Sequence, residues 1–525
     1  VSAESQVPLP IEGDQTLTVA RNVSTRYLAL GVEAALGIVL LPFNVSHLGQ
    51  AAYGLWMLTA SITAYFTVLD LGYGGALVKF VAEYRARGNQ RSLNEIVSTT
   101  FVMFAAIGAV TYLIAIGVAF NLDRLFQLTS DQVSVGRAVL LIVSANVAVG
   151  MAFSVFGAVI NGFQRYDLNN IVGTIGALLT AVVNVAVLAL GYGLITLVAA
   201  TTAVRLLTFI VYRANAYRVF PALRIRGSLF RFDRLKEMTR FSVYMSIIDW
   251  ATRLNYSVNA LIVGAFLNTA AVAVWAVGQR VAEMVQRLSN QLNDVLFPTV
   301  VDCDATSRTD RLQSIFIQGT RLSLATVIPL AGALGLLAGP LVQAWVGSDF
   351  QGSVIIIQLL LATVIVQIGT ATANTLLKGA GGHRLVAVTS SVAAVANLAS
   401  SIAIVDRLGL AGVAMATFVP VLLAATLVSF PAACRRVELP VSRAIALAVW
   451  PAVWPASTMV LYVALTQPFI GDSLIAVGLE IVAAALVYVV TFLFIGVSVH
   501  DRRLYLAQVG ALASRRRLQP ASEGA

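Results

Sequence analysis

Several ionisable residues interrupt otherwise apolar stretches of this sequence, and they are its best pointers to chemistry: Glu33, Asp70, Asp249, Arg253, Arg280, Glu283, Arg287 and Asp294. A charge at the centre of a bilayer costs at least about 2.5–3.5 kcal/mol, so each needs a partner, a water-filled cavity or a route to the interface. Arg280, Glu283, Arg287 and Asp294 keep to one helix face, and Asp249 stands one turn before Arg253. Asp249 with Arg253, and Glu283 with Arg287, can neutralise each other within their helices, while Arg287 and Asp294 can reach water. Counted at about 1.5 Å per residue from the helix ends, Arg253 and Arg280 lie roughly 15 Å deep, too far in for their stems to snorkel out. A net positive face at that depth suits a phosphate, which a guanidinium holds through paired hydrogen bonds. Glu33 and Asp70 could take up a coupling proton or a sodium ion, or pair with an arginine of the other half and close a gate; both readings stay open.

These residues need an oily frame. The chain has 525 residues, 58% hydrophobic and only 11% charged, with a mean hydropathy of +0.84; a soluble globule carries about 25% charged residues. Apolar windows of about 20 residues recur, enough to cross a bilayer core about 30 Å thick. The expected fold is therefore all-α, with about fourteen transmembrane helices. The +10 net charge would suggest nucleic acid only if it were gathered on one soluble face; here it marks topology. Lys79, Arg85, Arg87, Arg91, the Arg213–Arg240 stretch, Arg308, Arg311, Lys378, Arg384, Arg435, Arg436 and Arg443 fall in one set of connections, and little beyond Arg124 and Arg407 in the other. The positive-inside rule then places both termini in the cytosol. The N-terminal stretch lacks a basic n-region, so the first helix is expected to stay uncleaved. Cys303 and Cys434 are read as cytosolic loop residues that form neither a disulfide nor a metal site.

The expected segments are a cytoplasmic tail over residues 1–26, an N-lobe of six helices over 27–212 and a basic linker over 213–240. A C-lobe of six helices over 241–431, two further helices over 432–497 and a basic tail over 498–525 follow. The linker reads foremost as a topology anchor, with anionic lipid or a soluble partner as its other possible role. His47–Trp56 lines up with Phe266–Trp275 at an offset of 219 residues, and Gly162 with Gly379 and Gly193 with Gly409 at nearly the same offset. Such a repeat of even-numbered halves puts a substrate path between them. Asn184, Asn397, Gln358 and Gln367 are expected to hydrogen-bond across helices. The glycines at 72, 74 and 75 and at 379, 381 and 382 lack the strand-loop-helix setting of a phosphate loop, and no nucleotide-hydrolysing motif occurs.

The stretch from His47 to Asn89, with Tyr53-Gly54-Leu55-Trp56 and Asp70-Leu71-Gly72-Tyr73-Gly74, resembles polysaccharide flippases of the multidrug/oligosaccharidyl-lipid/polysaccharide exporter superfamily. Asn161–Asp167, Pro340–Gly347 and Lys378–Arg384 extend the likeness over most of the chain. The resemblance implies two six-helix lobes in a V around a central cavity plus two extra C-terminal helices, in the bacterial inner membrane. It also implies alternating access and an undecaprenyl-diphosphate-linked oligosaccharide as cargo for cell-surface polysaccharide, with membrane lipids and other polysaccharide assembly proteins as partners. Related lipid II flippases use cavity arginines in their first, second and eighth helices. Arg280 matches the last, but the first helix offers Glu33 and the second no mid-depth base, which points away from a peptidoglycan precursor. Arg253, Arg280, Arg287, Asp249 and Glu283 are the expected substrate-binding set, with Glu33 and Asp70 as coupling or gate residues. No cofactor is expected beyond a proton or sodium ion, and no nucleic acid. A cation-coupled drug antiporter is the competing transporter; short outer loops disfavour a polymerase or glycosyltransferase.

Overall fold

The computed structural model describes residues 12–289, 300–304, 306, 308–471, 473–498 and 501–502, and within them the side chains other than those of 12–20, 23, 67–68, 240–241 and 243–257. No strand occurs among the described residues. The chain packs as two compact units, Val1–Ala276 and Val277–Ala525.

The first unit opens with α1 (Glu12–Phe66), which begins inside the stretch read as a polar tail and turns a corner at Gly49, φ 76° and ψ 163°. That combination favours a residue without a Cβ. A 3-10 turn (Thr67–Asp70) leads to α2 (Tyr73–Ala86). The apolar run from Tyr53 to Ala76, which hydropathy alone reads as one helix, is thus broken. Leu71 and Gly72 both have positive φ (51° and 73°), and Asp70 Oδ1 accepts the Gly74 N–H at 3.1 Å. A carboxylate that caps the next helix, followed by three glycines in four residues, outcompetes helix continuation. Then come α3 (Gln90–Phe120), α4 (Leu122–Leu125), α5 (Ser130–Gly162), α6 (Tyr166–Ala189), α7 (Leu194–Val219) and α8 (Phe232–Phe266). The division between units falls inside α9 (Thr269–Ser289).

The second unit continues with α10 (Thr309–Leu336), α11 (Ala338–Trp345), α12 (Ser353–Gly379) and α13 (His383–Leu423). A non-helical Gly409 turns a corner in α13, φ 55°. A π turn joins α13 to α14 (Phe430–Arg436). The last helices are α15 (Val441–Ala444), α16 (Trp450–Val453), α17 (Ala456–Thr466) and α18 (Leu474–Thr491). Cys303 and Cys434, read as loop residues, are helical and buried.

Ten stretches among the described residues are long and apolar enough to cross a membrane. Two of them, Ser24–Phe66 and His383–Arg436, run to 43 and 54 residues, about twice what one crossing needs, and contain the corners at Gly49 and Gly409. The expected fourteen divides those two stretches and adds the more highly charged α8 and α9.

The repeat seen in the sequence recurs in the packing. A Cβ on Gly162 would lie 2.5 Å from Val81 Cγ1 in the first unit; one on Gly379 would lie 2.7 Å from Val300 Cγ1 in the second. Val81 and Val300 stand 219 positions apart. Gly54 meets its own counterpart: its Cβ would fall 1.7 Å from the Thr269 carbonyl oxygen and 3.2 Å from Ala273 N. Backbone cannot yield as a side-chain tip can. Gly54→Ala should lower stability by about 2–3 kcal/mol. Gly31→Ala, where nothing lies within 4 Å, should be neutral or stabilise by up to about 1 kcal/mol. Thermal unfolding of the purified chain in detergent distinguishes the two, and equal responses would deny the close contact its role.

Candidate functional site

The polar face of α9 is held in place from both sides. Asn268 Oδ1 caps its first turn by accepting the Ala271 N–H at 2.8 Å, and Val277, Val281 and Val285 bury its apolar stripe. Gly278 lets α9 close on α12, since a Cβ there would sit 2.6 Å from Ile356 Cγ2. On the polar side, Gln286 Nε2 donates to Gln367 Oε1 of α12 at 3.0 Å. Gln279 Nε2 donates to Glu283 Oε1 at 2.8 Å, and Arg287 Nη2 stands 3.9 Å from Glu283 Oε2. Within this row, half-buried Arg280 differs. It lies eleven residues, about 16 Å, along the helix, and it makes no hydrogen bond or ion pair among the described residues. Its five N–H donors, on a permanent charge, meet no acceptor among the described residues.

The other expected residues fall in different places. Glu283 and Arg287 form the within-helix pair, and exposed Arg287 reaches away from the packed face. Glu33 is exposed on the first arm of α1, and Asp70 caps α2. The two sit on different elements, separated by the Gly49 corner. The side chains of Asp249 and Arg253, and Asp294 altogether, lie outside the described residues. Gln358 Nε2 does reach across, to the Gly335 carbonyl at 3.2 Å. Asn397 Oδ1 accepts from Ser401 at 3.1 Å and from Thr417 at 3.4 Å, bridging the two arms of α13. Asn184 Oδ1 is buried with no hydrogen bond among the described residues.

Four polar clusters escaped the sequence reading. In the second unit Arg321 is buried, 8% exposed. Its Nε and Nη2 donate to the Leu447 carbonyl at 3.0 and 2.7 Å, and its Nη1 to Asp501 Oδ2 at 2.7 Å. Pro451 explains the acceptor: without an N–H it cannot pair with the carbonyl four residues earlier, and the helix relaxes into the π turn Ile445–Val449. Elsewhere in that unit, the carboxylate of Glu480 in α18 is held by the hydroxyls of Thr466 and Tyr462. In the first unit Asp167, 3% exposed, accepts from Arg165 at 3.1 and 3.3 Å and pairs with Arg21 at 3.2 Å.

The fourth cluster turns the basic linker into an ordered strap across the start of α3. Asn94 donates to the Ala222 carbonyl at 3.0 Å and accepts the Arg224 N–H at 2.9 Å. Ser98 donates to the Arg224 carbonyl at 3.1 Å and accepts the Arg226 N–H at 3.3 Å, and Thr99 accepts the Arg231 N–H at 3.0 Å. Arg234 then turns inward, donating to Tyr84 Oη and Ser92 Oγ at 2.7 Å each and to Glu237 and Glu95 at 3.2 and 3.4 Å. Burial, and then the hydrogen bond Tyr84 donates to Glu237, push the Tyr84 phenol above its ordinary value. A serine, threonine and asparagine periodicity on the first turns of α3 was the available signal, legible only once the strap is known to cross it.

With this geometry in view, comparison with known proteins is decisive for family. A family model described as polysaccharide biosynthesis protein matches residues 47–355, more than half of the chain. The chain belongs to that family. This polysaccharide biosynthesis protein is 22% identical over 416 residues to the "Probable flippase AglR" of Haloferax volcanii, covering 78% of the chain and 82% of the relative. It is 19% identical over 417 residues to a Shigella flexneri protein named "Putative O-antigen transporter", covering 79% and 97%. Its fold is shared with the lipid II flippase MurJ in an inward closed conformation, with TM-score 0.69, 13% identity and coverage of 89% and 97%. An inward-facing multidrug MATE transporter of the MOP superfamily has the same fold, with TM-score 0.64, 13% identity and coverage of 78% and 94%.

Two outcomes follow for the polysaccharide biosynthesis protein. Arg321→Ala strands a carbonyl and a carboxylate, and should cost about 3 kcal/mol in thermal or denaturant unfolding; Arg321→Lys should recover only part, because an ammonium cannot span both acceptors. The raised Tyr84 pKa makes its stabilisation complete below the ordinary tyrosine value of about 10 and lost as pH climbs through the folded value. The tyrosinate absorbance difference between wild type and Tyr84→Phe should therefore appear above pH ~10 and not below.

Proposed function

We propose that this polysaccharide biosynthesis protein is a flippase that moves an undecaprenyl-diphosphate-linked oligosaccharide from the cytoplasmic to the outer leaflet of the bacterial inner membrane. The observation that carries the reading is Arg280, a half-buried guanidinium without an acceptor among the described residues, in a row where Gln279, Glu283, Gln286 and Arg287 have partners. A permanent cation cannot shed its charge by losing a proton as a lysine can, so in apolar surroundings it calls for water or an anion. A diphosphate offers several acceptor oxygens and two negative charges to such a fork. Family membership and the names of the relatives favour a polysaccharide-linked cargo.

In this mechanism the head group enters a hydrated path while the polyprenyl tail stays in lipid, so that sugar hydroxyls never meet hydrocarbon unsatisfied. Arg280 holds the diphosphate, with Arg253 as its counterpart from α8 and Glu283 holding Gln279 and Arg287 in register. Two six-helix lobes alternate in access, both termini face the cytosol, and Glu33 or Asp70 takes up the coupling proton or sodium ion. Lipids of both leaflets and other polysaccharide assembly proteins are its partners.

Proteoliposomes carrying a fluorescent polyprenyl-diphosphate oligosaccharide test this. Losing a charge-assisted contact of about 2–3 kcal/mol corresponds to a fall of roughly 30- to 150-fold in transport for Arg280→Ala. Arg280→Lys should retain an intermediate rate, and Gln279→Ala should stay near wild type. Undiminished transport by a well-folded Arg280→Ala chain removes the guanidinium from the mechanism.

A further inference from the structure

The strap over residues 220–239 is fixed more firmly than a topology signal requires. Positive-inside sorting counts lysines and arginines near a span and needs no defined geometry from them. Here the backbone on either side of Arg224 and Arg226 is tied to Asn94 and Ser98, within three turns of the start of α3. Since α3 is an apolar spanning stretch, its opening turns lie at the level where membrane gives way to water.

The charges on the strap are sorted by direction. The acids turn inward: Glu95, 8% exposed, faces Arg91, Arg231 and Arg234, and Glu237 is taken by Tyr84 and Arg234. Four bases, three on the strap and Arg218 just before it, turn outward. Arg218, Arg224, Arg226 and Lys236 are exposed, and their side chains make no hydrogen bond or ion pair among the described residues. Asp233 is the exposed acid among them. Phe232 projects beside them with 70% of its surface exposed, a large apolar ring at the first residue of α8.

We infer that the outward face of this strap is a docking surface for the headgroups of anionic phospholipids in the leaflet it borders. Four outward cations at the membrane-water boundary meet the phosphates of that leaflet, where each lysine or arginine adds to attraction over about one Debye length. The Phe232 ring enters between headgroup and acyl chain, where an amphipathic anchor is stable. Arg234, turned inward, keeps the surface in shape rather than binding lipid.

Trypsin reads this surface directly, because it cuts after exposed arginines. The full chain in nanodiscs of phosphatidylcholine, with and without phosphatidylglycerol, is digested briefly, and cleavage after Arg224 and Arg226 is compared with cleavage after exposed Arg308 in the other unit. Phosphatidylglycerol should slow the strap cuts several-fold relative to Arg308, and high salt should abolish the difference. The double variant Arg218→Gln, Lys236→Gln, which leaves both cleavage sites and the inward cluster intact, should lose most of the protection with its unfolding temperature unchanged. Equal cleavage ratios in the two lipids, or full protection retained by the double variant, would overturn the proposal. So would equal protection in phosphatidylcholine by inorganic pyrophosphate, which would make the surface a site for free phosphate instead of a bilayer.

Discussion

In hydrocarbon a polar group has no water to fall back on, so every charge and every freed backbone carbonyl must find its acceptor or donor inside the chain. Much of this structure is the working-out of that constraint. Pro451 leaves the Leu447 carbonyl without its helical donor, and Arg321 supplies two N–H groups to it while a third reaches Asp501. One guanidinium thereby joins α10 to the final helices, which bury few large side chains of their own and expose Leu461, Ile475 and Leu479. Glu480 is resolved on the same principle with hydroxyls in place of a cation.

Close backbone approach is the second device. Van der Waals packing has to hold helices together where lipid tails are as apolar as the side chains, and small residues let it act. Gly54, Gly108, Gly162, Gly278 and Gly379 each stand where a Cβ would overlap a neighbour. Two of these contacts, Gly162 on Val81 and Gly379 on Val300, use counterparts in the duplicated halves. A third sets Gly54 on the segment that its own counterpart occupies. The duplication is thus a repeat of packing as well as of letters, and it explains why Trp56 and Trp275 sit at matching places in their helices.

The sequence alone made the helical membrane fold legible, because hydropathy over twenty residues is a strong signal and charge asymmetry between loops is another. It also picked out the α9 row, since residues three, four and seven apart must share a face. What it missed was local competition and distant pairing. The uninterrupted helix to Ala76 ignored that Asp70 can cap a new helix beside Gly72, Gly74 and Gly75. Arg321 carries no signal in the sequence, because nothing in the neighbourhood of residue 321 announces that a proline 130 positions later will free a carbonyl. The linker read as a string of charges for the same reason: its order depends on Asn94, Ser98 and Thr99, which belong to a helix more than a hundred residues earlier.

Arg280 and Arg321 contrast a cation that the described residues leave without an acceptor and one that the fold saturates. Both are arginines deep in helices of an apolar chain, and composition cannot tell them apart. Arg321 is buried with three short hydrogen bonds to fixed acceptors, a geometry that binds nothing further. Arg280 is half-buried in a row where Gln279, Glu283, Gln286 and Arg287 have each been given a partner. Had selection acted on folding alone, an apolar residue at 280 would avoid the cost of holding a charge that meets no acceptor among the described residues. Retaining it makes physical sense where an anion arrives to complete it. In the function proposed above, that anion is the diphosphate of a lipid-linked sugar.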